Sequence, residues 1–278
     1  MKYGVHAGLW QAHESDEIIK VLRCVADNGY DGIEVPLHGL TDEKTIALGK
    51  AIKEYGLEVS CTHGLSSDND ISSADKHIRQ NALAHLRWAI QTASLIGSDL
   101  LCGPIYAPWK VFEPRDKTAR AQRSADALGE LDRELNEYNV TLGLEALNRF
   151  ETDLVNTAEE ATHLAKTTGS DRIGILLDTF HLNIEEKNIK TAITNASEKL
   201  VHFHVSDNDR GVPGSGHVPW NEVKTALDEI NYDGWIVAEM FVTANGPISA
   251  DLNIWRDIEP NATHACKMAL AFMKNTFG

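Results

Sequence analysis

About eight times along the chain, a short run rich in apolar and β-branched residues is followed by a longer stretch with the periodicity of an amphipathic helix, each unit being about thirty residues long. A strand that waits for a helix before the next strand begins is built for parallel pairing, with both of its faces buried. At 278 residues and 42% hydrophobic content the chain can bury either one large barrel or two smaller domains. The tally of units favours α/β architecture as a single (β/α)8 TIM barrel over residues 1–278. A doubly wound sheet is the alternative, but no G-x-G-x-x-G follows the first strand and no G-x-x-x-x-G-K-[ST] occurs, so the phosphate cradles of nucleotide folds are missing.

The expected strands are Tyr3 to Gly8, Gly32 to Val35, Glu58 to Thr62, Leu100 to Gly103, Val140 to Leu144, Ile173 to Leu177, Leu200 to Val205 and Trp235 to Ala238. Between them, a helix capped by Ser15 stops at Asn28-Gly29, and another opens at Thr41 and closes at Tyr55-Gly56. Ser73 to Ile96, Asp116 to Tyr138, Thr157 to Lys166, Ile189 to Asn195, Pro219 to Ile230 and Thr263 to Phe277 supply the rest. No low-complexity or Pro/Gly-rich linker interrupts the series.

Four apolar runs end abruptly on a titratable residue: Glu145, Asp178, His204 and Glu239. In parallel α/β proteins the C-terminal strand ends collect binding and catalytic groups, because loops there vary while the strands hold their origins fixed. Two glutamates, one aspartate and one imidazole make a mixed hard donor set suited to octahedral Mn²⁺, Mg²⁺ or Co²⁺, with positions left for substrate oxygens. Thiolates are absent from the set, so a structural zinc site is a poor fit.

Charge and cysteine usage exclude other classes. Lys plus Arg number 26 against 41 Asp plus Glu, a net charge of −15, which would repel a nucleic-acid backbone over most of the surface. No apolar run is long enough to cross a bilayer, and Met1 to His6 resembles neither a signal nor a transit peptide, so no membrane partner and a cytoplasmic location are expected. Cys24, Cys61, Cys102 and Cys266 lie far apart in sequence and are read as free thiols without chemistry.

The segments Leu144 to Glu151, Leu177 to Glu186, His202-Phe203-His204 and Arg210 to Gly214 resemble the ketose 3-epimerases, the D-tagatose 3-epimerase and D-psicose (allulose) 3-epimerase family within the xylose-isomerase-like barrels. Gly216 to Trp220, Tyr232-Asp233-Gly234 and Trp255-Arg256-Asp257 are similar too. The resemblance implies a metal-dependent epimerase that inverts C3 of a free ketohexose or ketopentose, such as D-psicose/D-fructose, D-tagatose or L-ribulose, through a cis-enediolate. It implies Glu145 and Glu239 as the acid/base pair, with Glu145, Asp178, His204 and Glu239 ligating a divalent ion, Mn²⁺ ahead of Co²⁺ or Mg²⁺. Glu151, His181 and Arg210 match residues that hold the O1 and O2 end of the sugar. Trp10, Trp109, Phe241, His6 and His63 are candidates for the remaining pocket wall, although His6 stands where the family often has Tyr and His63 where an apolar residue is expected. The family likeness also implies a homodimer or homotetramer.

Two further departures concern positioning. Val205-Ser206-Asp207 replaces the usual small-Gly-Glu, which shortens a carboxylate expected near the substrate, and Met240 replaces a Pro. No Gly-rich phosphate loop follows the last strands, which disfavours phosphorylated ketoses. The same cage could instead serve aldose-ketose isomerisation or sugar or polyol dehydration. A barrel that binds sugar without turnover is the alternative from another class.

Overall fold

Each parallel strand needs a crossover before the next, and the chain supplies helices for that purpose throughout. The computed structural model describes residues 1–113 and 115–278. Strands β1 (Lys2–His6), β2 (Gly32–Pro36), β3 (Glu58–Thr62), β4 (Leu100–Gly103), β5 (Thr141–Glu145), β6 (Ile173–Asp178), β7 (Leu200–Val205) and β8 (Trp235–Ala238) pair in parallel in that order and close on themselves. This is the expected (β/α)8 barrel.

Around it run α1 (Ser15–Asn28), α2 (Asp42–Glu54), α3 (Lys76–Ile96), α4 (Lys117–Gly129), α5 (Asp132–Tyr138), α6 (Ala158–Thr167), α7 (Thr179–Glu185), α8 (Ile189–Asn195), α9 (Trp220–Glu229) and α10 (Ala262–Phe277). Helix α10 packs back on α1, β1 and β8, so the end of the chain covers the seam of the barrel. In α1, Ile18, Leu22 and Val25 are fully buried at the spacing of one helical face, and Gly29 ends the helix in the left-handed region at φ 87°. Truncating Ile18 or Leu22 to Ala would cost about 2–5 kcal/mol.

The lumen is layered. Leu100 and Cys102 of β4, Leu176 of β6 and Trp235 and Val237 of β8 form an apolar cluster of their own, drawn from even-numbered strands. Gly174 makes room where β6 meets β7: a Cβ there would stand 2.5 Å from the Lys199 carbonyl oxygen. The register of these two strands shifts between Ile175 and Leu176, after which Leu176 pairs with His202 and Asp178 with His204. With side chains alternating along β7, His202 and His204 share a face while Phe203 joins the outer core.

Several boundaries differ from the sequence reading. Strand β1 stops at His6 because Ala7–Trp10 turns into a 3-10 segment, capped by His6 Nδ1 accepting from the Gly8 N–H. The cap of α1 is Glu14 rather than Ser15, with Glu17 accepting from the Glu14 N–H at 3.2 Å. Asp116 to Tyr138 is two helices: α4 ends at Gly129, which lies so close to α6 that a Cβ would meet the Thr168 carbonyl oxygen at 2.6 Å. Helix α7 was not expected; Asp178 caps it by accepting from the Phe180 N–H at 2.7 Å. Among the described residues no helix is long and apolar enough to cross a membrane. The four cysteines are free, three buried and Cys24 half-buried.

Candidate active site

The last inward residue of each of β5, β6 and β7, together with the residue just after β8, meets at the C-terminal end of the lumen. Glu145, Asp178, His204 and Glu239 each present one donor atom, and these atoms all lie within 4.8 Å of one another. Above them opens a cavity of about 360 Å³. Its wall includes Glu145, Glu239, Glu151, His181, Arg210, His6, His63, Trp109 and Phe241. Asp178 and His204 form the sealed floor beneath, both with no exposure. Trp10 is not among the lining residues; it sits on the 3-10 segment and packs against the core.

Three carboxylates this close repel one another. Burial, and then the charge of Glu239, push the Glu145 carboxyl well above its usual range. Burial lifts Asp178 to about 7 against the pull of Arg210. Glu239 goes the other way: burial opposes its charge, but His204 and Arg210 outweigh it and hold the carboxyl well below the usual range. Arg210 is the cation within hydrogen-bonding reach, donating from Nη1 to Asp178 Oδ2 at 3.0 Å and Glu239 Oε2 at 2.9 Å. It adopts φ 68° and lies with its guanidinium 4.1 Å from the Phe180 ring and 5.4 Å from that of Phe241.

His204 Nδ1 lies 3.5 Å from Glu239 Oε2 and has no hydrogen-bond partner among the described residues. An unpaired buried nitrogen beside three carboxylates, two of them with pKa raised by burial, fits a hard divalent ion, with Glu145, Asp178, His204 and Glu239 as its holders. A second group, Glu34, His202 and His204, also brings donor atoms within 4.8 Å. There the donors already face one another: Glu34 Oε2 accepts from Ser60 Oγ at 2.8 Å and stands 2.6 Å from His202 Nε2. That group is sealed beneath the cavity and offers one carboxylate against three at the cavity, so the four-residue group is the better cage for a hard ion.

The neighbouring polar groups are oriented by their hydrogen bonds. His181 Nδ1 accepts from the Asn148 backbone N–H at 3.1 Å, which places the ring proton on Nε2, 3.6 Å from Glu145 Oε1. Arg210 Nη2, 3.2 Å from that nitrogen, is then a neighbour rather than a donor to it. Burial first, and then Arg210, lower the His181 pKa to about 3, so the imidazole stays neutral and is a donor toward the cavity. Glu151 accepts from Trp109 Nε1 at 2.9 Å and Asn148 Nδ2 at 3.0 Å.

The two unusual histidines are engaged internally. His6 Nδ1 accepts from the Gly8 N–H, so its Nε2 proton is directed to Thr62 Oγ1 at 3.0 Å. His63 Nδ1 donates to the Leu37 carbonyl at 3.1 Å, and its Nε2 accepts from His85 Nε2 at 2.7 Å. Both rings line the cavity with their nitrogens already matched, so His63 presents carbon where an apolar residue was expected.

Asp207 is not at the cavity wall, contrary to the expectation of a shortened carboxylate near the substrate. It braces the loop after β7, accepting from the N–H groups of Asn208, Gly214 and Val218 and from Trp220 Nε1. Met240 is fully buried. Glu185 pairs with Arg149 at 2.9 Å with its side chain 6% exposed. The sequence reading missed Glu34, Ser60 and Asn148; the available signal for Glu34 was a carboxylate in the middle of an otherwise apolar strand.

The sequence matches the xylose isomerase-like TIM barrel family over residues 22–259. It is 34% identical to a D-psicose 3-epimerase from Enterocloster bolteae, covering 100% of this chain and 96% of that one. It is 30% identical to an L-ribulose 3-epimerase from Mesorhizobium japonicum, covering 98% and 93%. The fold superposes with a TM-score of 0.94 on the crystal structure of D-psicose 3-epimerase with D-tagatose from Clostridium cellulolyticum H10, at 31% identity and over 100% and 99% of the two chains.

Proposed function

The chain belongs to the ketose 3-epimerases of the xylose isomerase-like TIM barrel family, and from that membership we propose that it inverts C3 of a free ketohexose or ketopentose with Glu145 and Glu239 as paired acid and base. The observation that carries this reading is the pair itself: two glutamates from separate strands meet beside one cavity, with their protonation tendencies pushed in opposite directions.

The C3 hydrogen of a ketose is acidic because the C2 carbonyl can accept the electron pair it leaves behind. In one direction Glu239, held ionised by His204 and Arg210, takes the C3 proton, and the C–H pair moves into the C2–C3 bond of an enediolate. Glu145, held neutral, then gives its proton to the opposite face of C3. The two carboxyls have exchanged protonation states, and the reverse reaction uses them in swapped roles. A divalent ion, Mn²⁺ on this reading, held by Glu145, Asp178, His204 and Glu239, would supply positive charge that polarises the carbonyl and offsets the negative charge developing on the substrate oxygens.

The Nε2 proton of His181, the carboxylate of Glu151 and the guanidinium of Arg210 orient the sugar hydroxyls, while Trp109 and Phe241 wall the apolar face. The charged residues of the wall are Glu145, Glu151, Glu239 and Asp251 against Arg210, a balance that favours an uncharged ketose over a phosphorylated one. On the same reading the chain assembles as a homodimer or homotetramer, checked by sedimentation.

Incubation of the Mn²⁺-loaded protein with D-fructose, D-tagatose or L-ribulose in D₂O is expected to put deuterium at C3 of both epimers. Deuterium at C1 with an aldose product would instead establish 1,2-isomerisation. Loss of water would establish a dehydratase, and tight binding without exchange a non-catalytic barrel.

A further inference from the structure

Beneath the four candidate ligands lies a second buried cluster that the epimerisation does not use. Glu34 of β2 reaches across the lumen toward β7, with no exposure of its own or of His202 and His204. Its Oε2 accepts from Ser60 Oγ at 2.8 Å and lies 2.6 Å from His202 Nε2. Its Oε1 lies 2.6 Å from His204 Nε2. In that last contact the N–H is not aimed along the line between the atoms, so it is a close ion contact rather than a well-aligned hydrogen bond. The three contacts around Glu34 are all with groups able to carry a proton, which is the environment of an ionised acceptor.

His204 therefore stands between two carboxylate systems, with one ring nitrogen toward each. Nε2 faces Glu34, and Nδ1 faces Glu239 without a hydrogen-bond partner. Bound to an ion through Nδ1, the imidazole carries one N–H. A carboxylate against Nε2 keeps that proton on the Glu34 side and leaves the Nδ1 lone pair for the cage above. A half-turn of the ring about Cβ–Cγ would present Cδ2 to the cage in place of Nδ1 and take Nε2 away from Glu34, so the Nε2–Glu34 contact holds the ring orientation as well as the tautomer.

We propose that Glu34 is a positioning residue: held by Ser60 and His202, it fixes the tautomer and ring orientation of His204 and so raises the affinity of the four-residue cage for a divalent ion. This rests on the reading of His204 as a ligand. Carboxylates that orient a ligating histidine characteristically alter metal affinity by 10–100-fold when removed.

The test titrates Mn²⁺ by calorimetry into the full chain and its Glu34→Gln and Glu34→Asp variants. Glu34→Gln is expected to bind Mn²⁺ about 10–100-fold more weakly. Glu34→Asp, which keeps the charge, is expected to recover part of that loss. Glu34→Gln binding within about twofold of the parent, or equal losses in both variants, would overturn the proposal while leaving the cage intact.

The unsubstituted protein gives an independent readout should the variants fail to fold. With ¹⁵N-labelled histidine and ¹¹³Cd²⁺ bound, His204 is expected to show a proton on Nε2 and cadmium coupling to Nδ1. A proton on Nδ1, or coupling through Nε2, would overturn the Glu34 assignment. An unsubstituted chain that binds neither Mn²⁺ nor Cd²⁺ would remove the metal reading itself, and the proposal with it.

Discussion

Two buried polar clusters meet at His204, and they are built on opposite principles. Below, Glu34 is surrounded by Ser60, His202 and His204, and although burial works against its charge, His204 and then His202 outweigh it and hold its carboxyl well below the usual range. Above, Glu145, Asp178 and Glu239 share Arg210, and burial lifts two of the three well above that range. The lower cluster sets two imidazoles and a hydroxyl against one carboxylate, whereas the upper one sets three carboxylates against one guanidinium. A like-charged group retained at the mouth of a cavity has the character of a working site, whereas a lone carboxylate among imidazoles beneath it has the character of a support.

The largest effect that would break this contrast concerns chemistry. Glu239→Gln removes the ionised partner of the pair and is expected to slow C3 deuterium exchange about 10²–10⁴-fold while sugar binding persists. Exchange within tenfold of the parent would show that the upper carboxylates are structural after all. Stability separates the clusters next. In ion-free protein, Glu34→Ala leaves His202, His204 and Ser60 without their acceptor and is expected to destabilise by about 3–5 kcal/mol in urea. Glu145→Gln replaces a carboxyl that burial already holds neutral, so a change within about 1 kcal/mol is expected. Equal costs for the two would erase the distinction between support and site.

Ion binding should act on the upper cluster alone. Mn²⁺ at a hundredfold excess over its Kd is expected to add about 2.7 kcal/mol, or roughly 5–10 °C in Tm. The sign of the pH dependence follows from Asp178. Its folded pKa, about 7, is raised above the unfolded value of 3.8, so its contribution to stability is full below the unfolded value and is lost as pH rises toward 7. Glu145, also raised, adds in the same direction. The gap in Tm with and without Mn²⁺ is therefore expected to widen between pH 5 and 8, since the ion displaces protons from these groups. A gap independent of pH would place the ion elsewhere.

The difference between the clusters also governs what the sequence disclosed. Glu145, Asp178, His204 and Glu239 announced themselves because each closes an apolar run, and strand ends need only the order of elements to be placed. Glu34 sits mid-strand between Ile33 and Val35, and its partners come from β3 and β7. Ser60 lies opposite it in the β2–β3 register, and barrel closure brings His202 and His204 to it across the lumen. Helix α7 was hidden for a related reason: its cap is Asp178, the same side chain that pairs with Arg210, a dual role that no local pattern encodes. Asp207 was misplaced because adjacency to His204 in sequence suggested the cavity, while four donors draw its carboxylate into the loop.

The smallest effect is expected at His63, where the wall of the cavity departs most from an apolar one in sequence. Its Nδ1 is directed to the Leu37 carbonyl and its Nε2 to His85, so neither nitrogen is available to a sugar hydroxyl. Burial first, and then His85, lower its pKa to about 4, which keeps the ring uncharged at neutral pH. His63→Leu retains the carbon surface and removes only contacts made within the protein. The KM for a ketose is then expected to stay within about threefold, with a stability loss near 1 kcal/mol from the unpaired Leu37 carbonyl and His85. A hydroxyl held directly by His63 would instead give a KM rise of roughly tenfold or more, because a cavity built to pair a hydroxyl loses that pairing outright. That outcome would make His63 a determinant of substrate choice and extend the working polar region from the four candidate ligands to the far wall of the cavity.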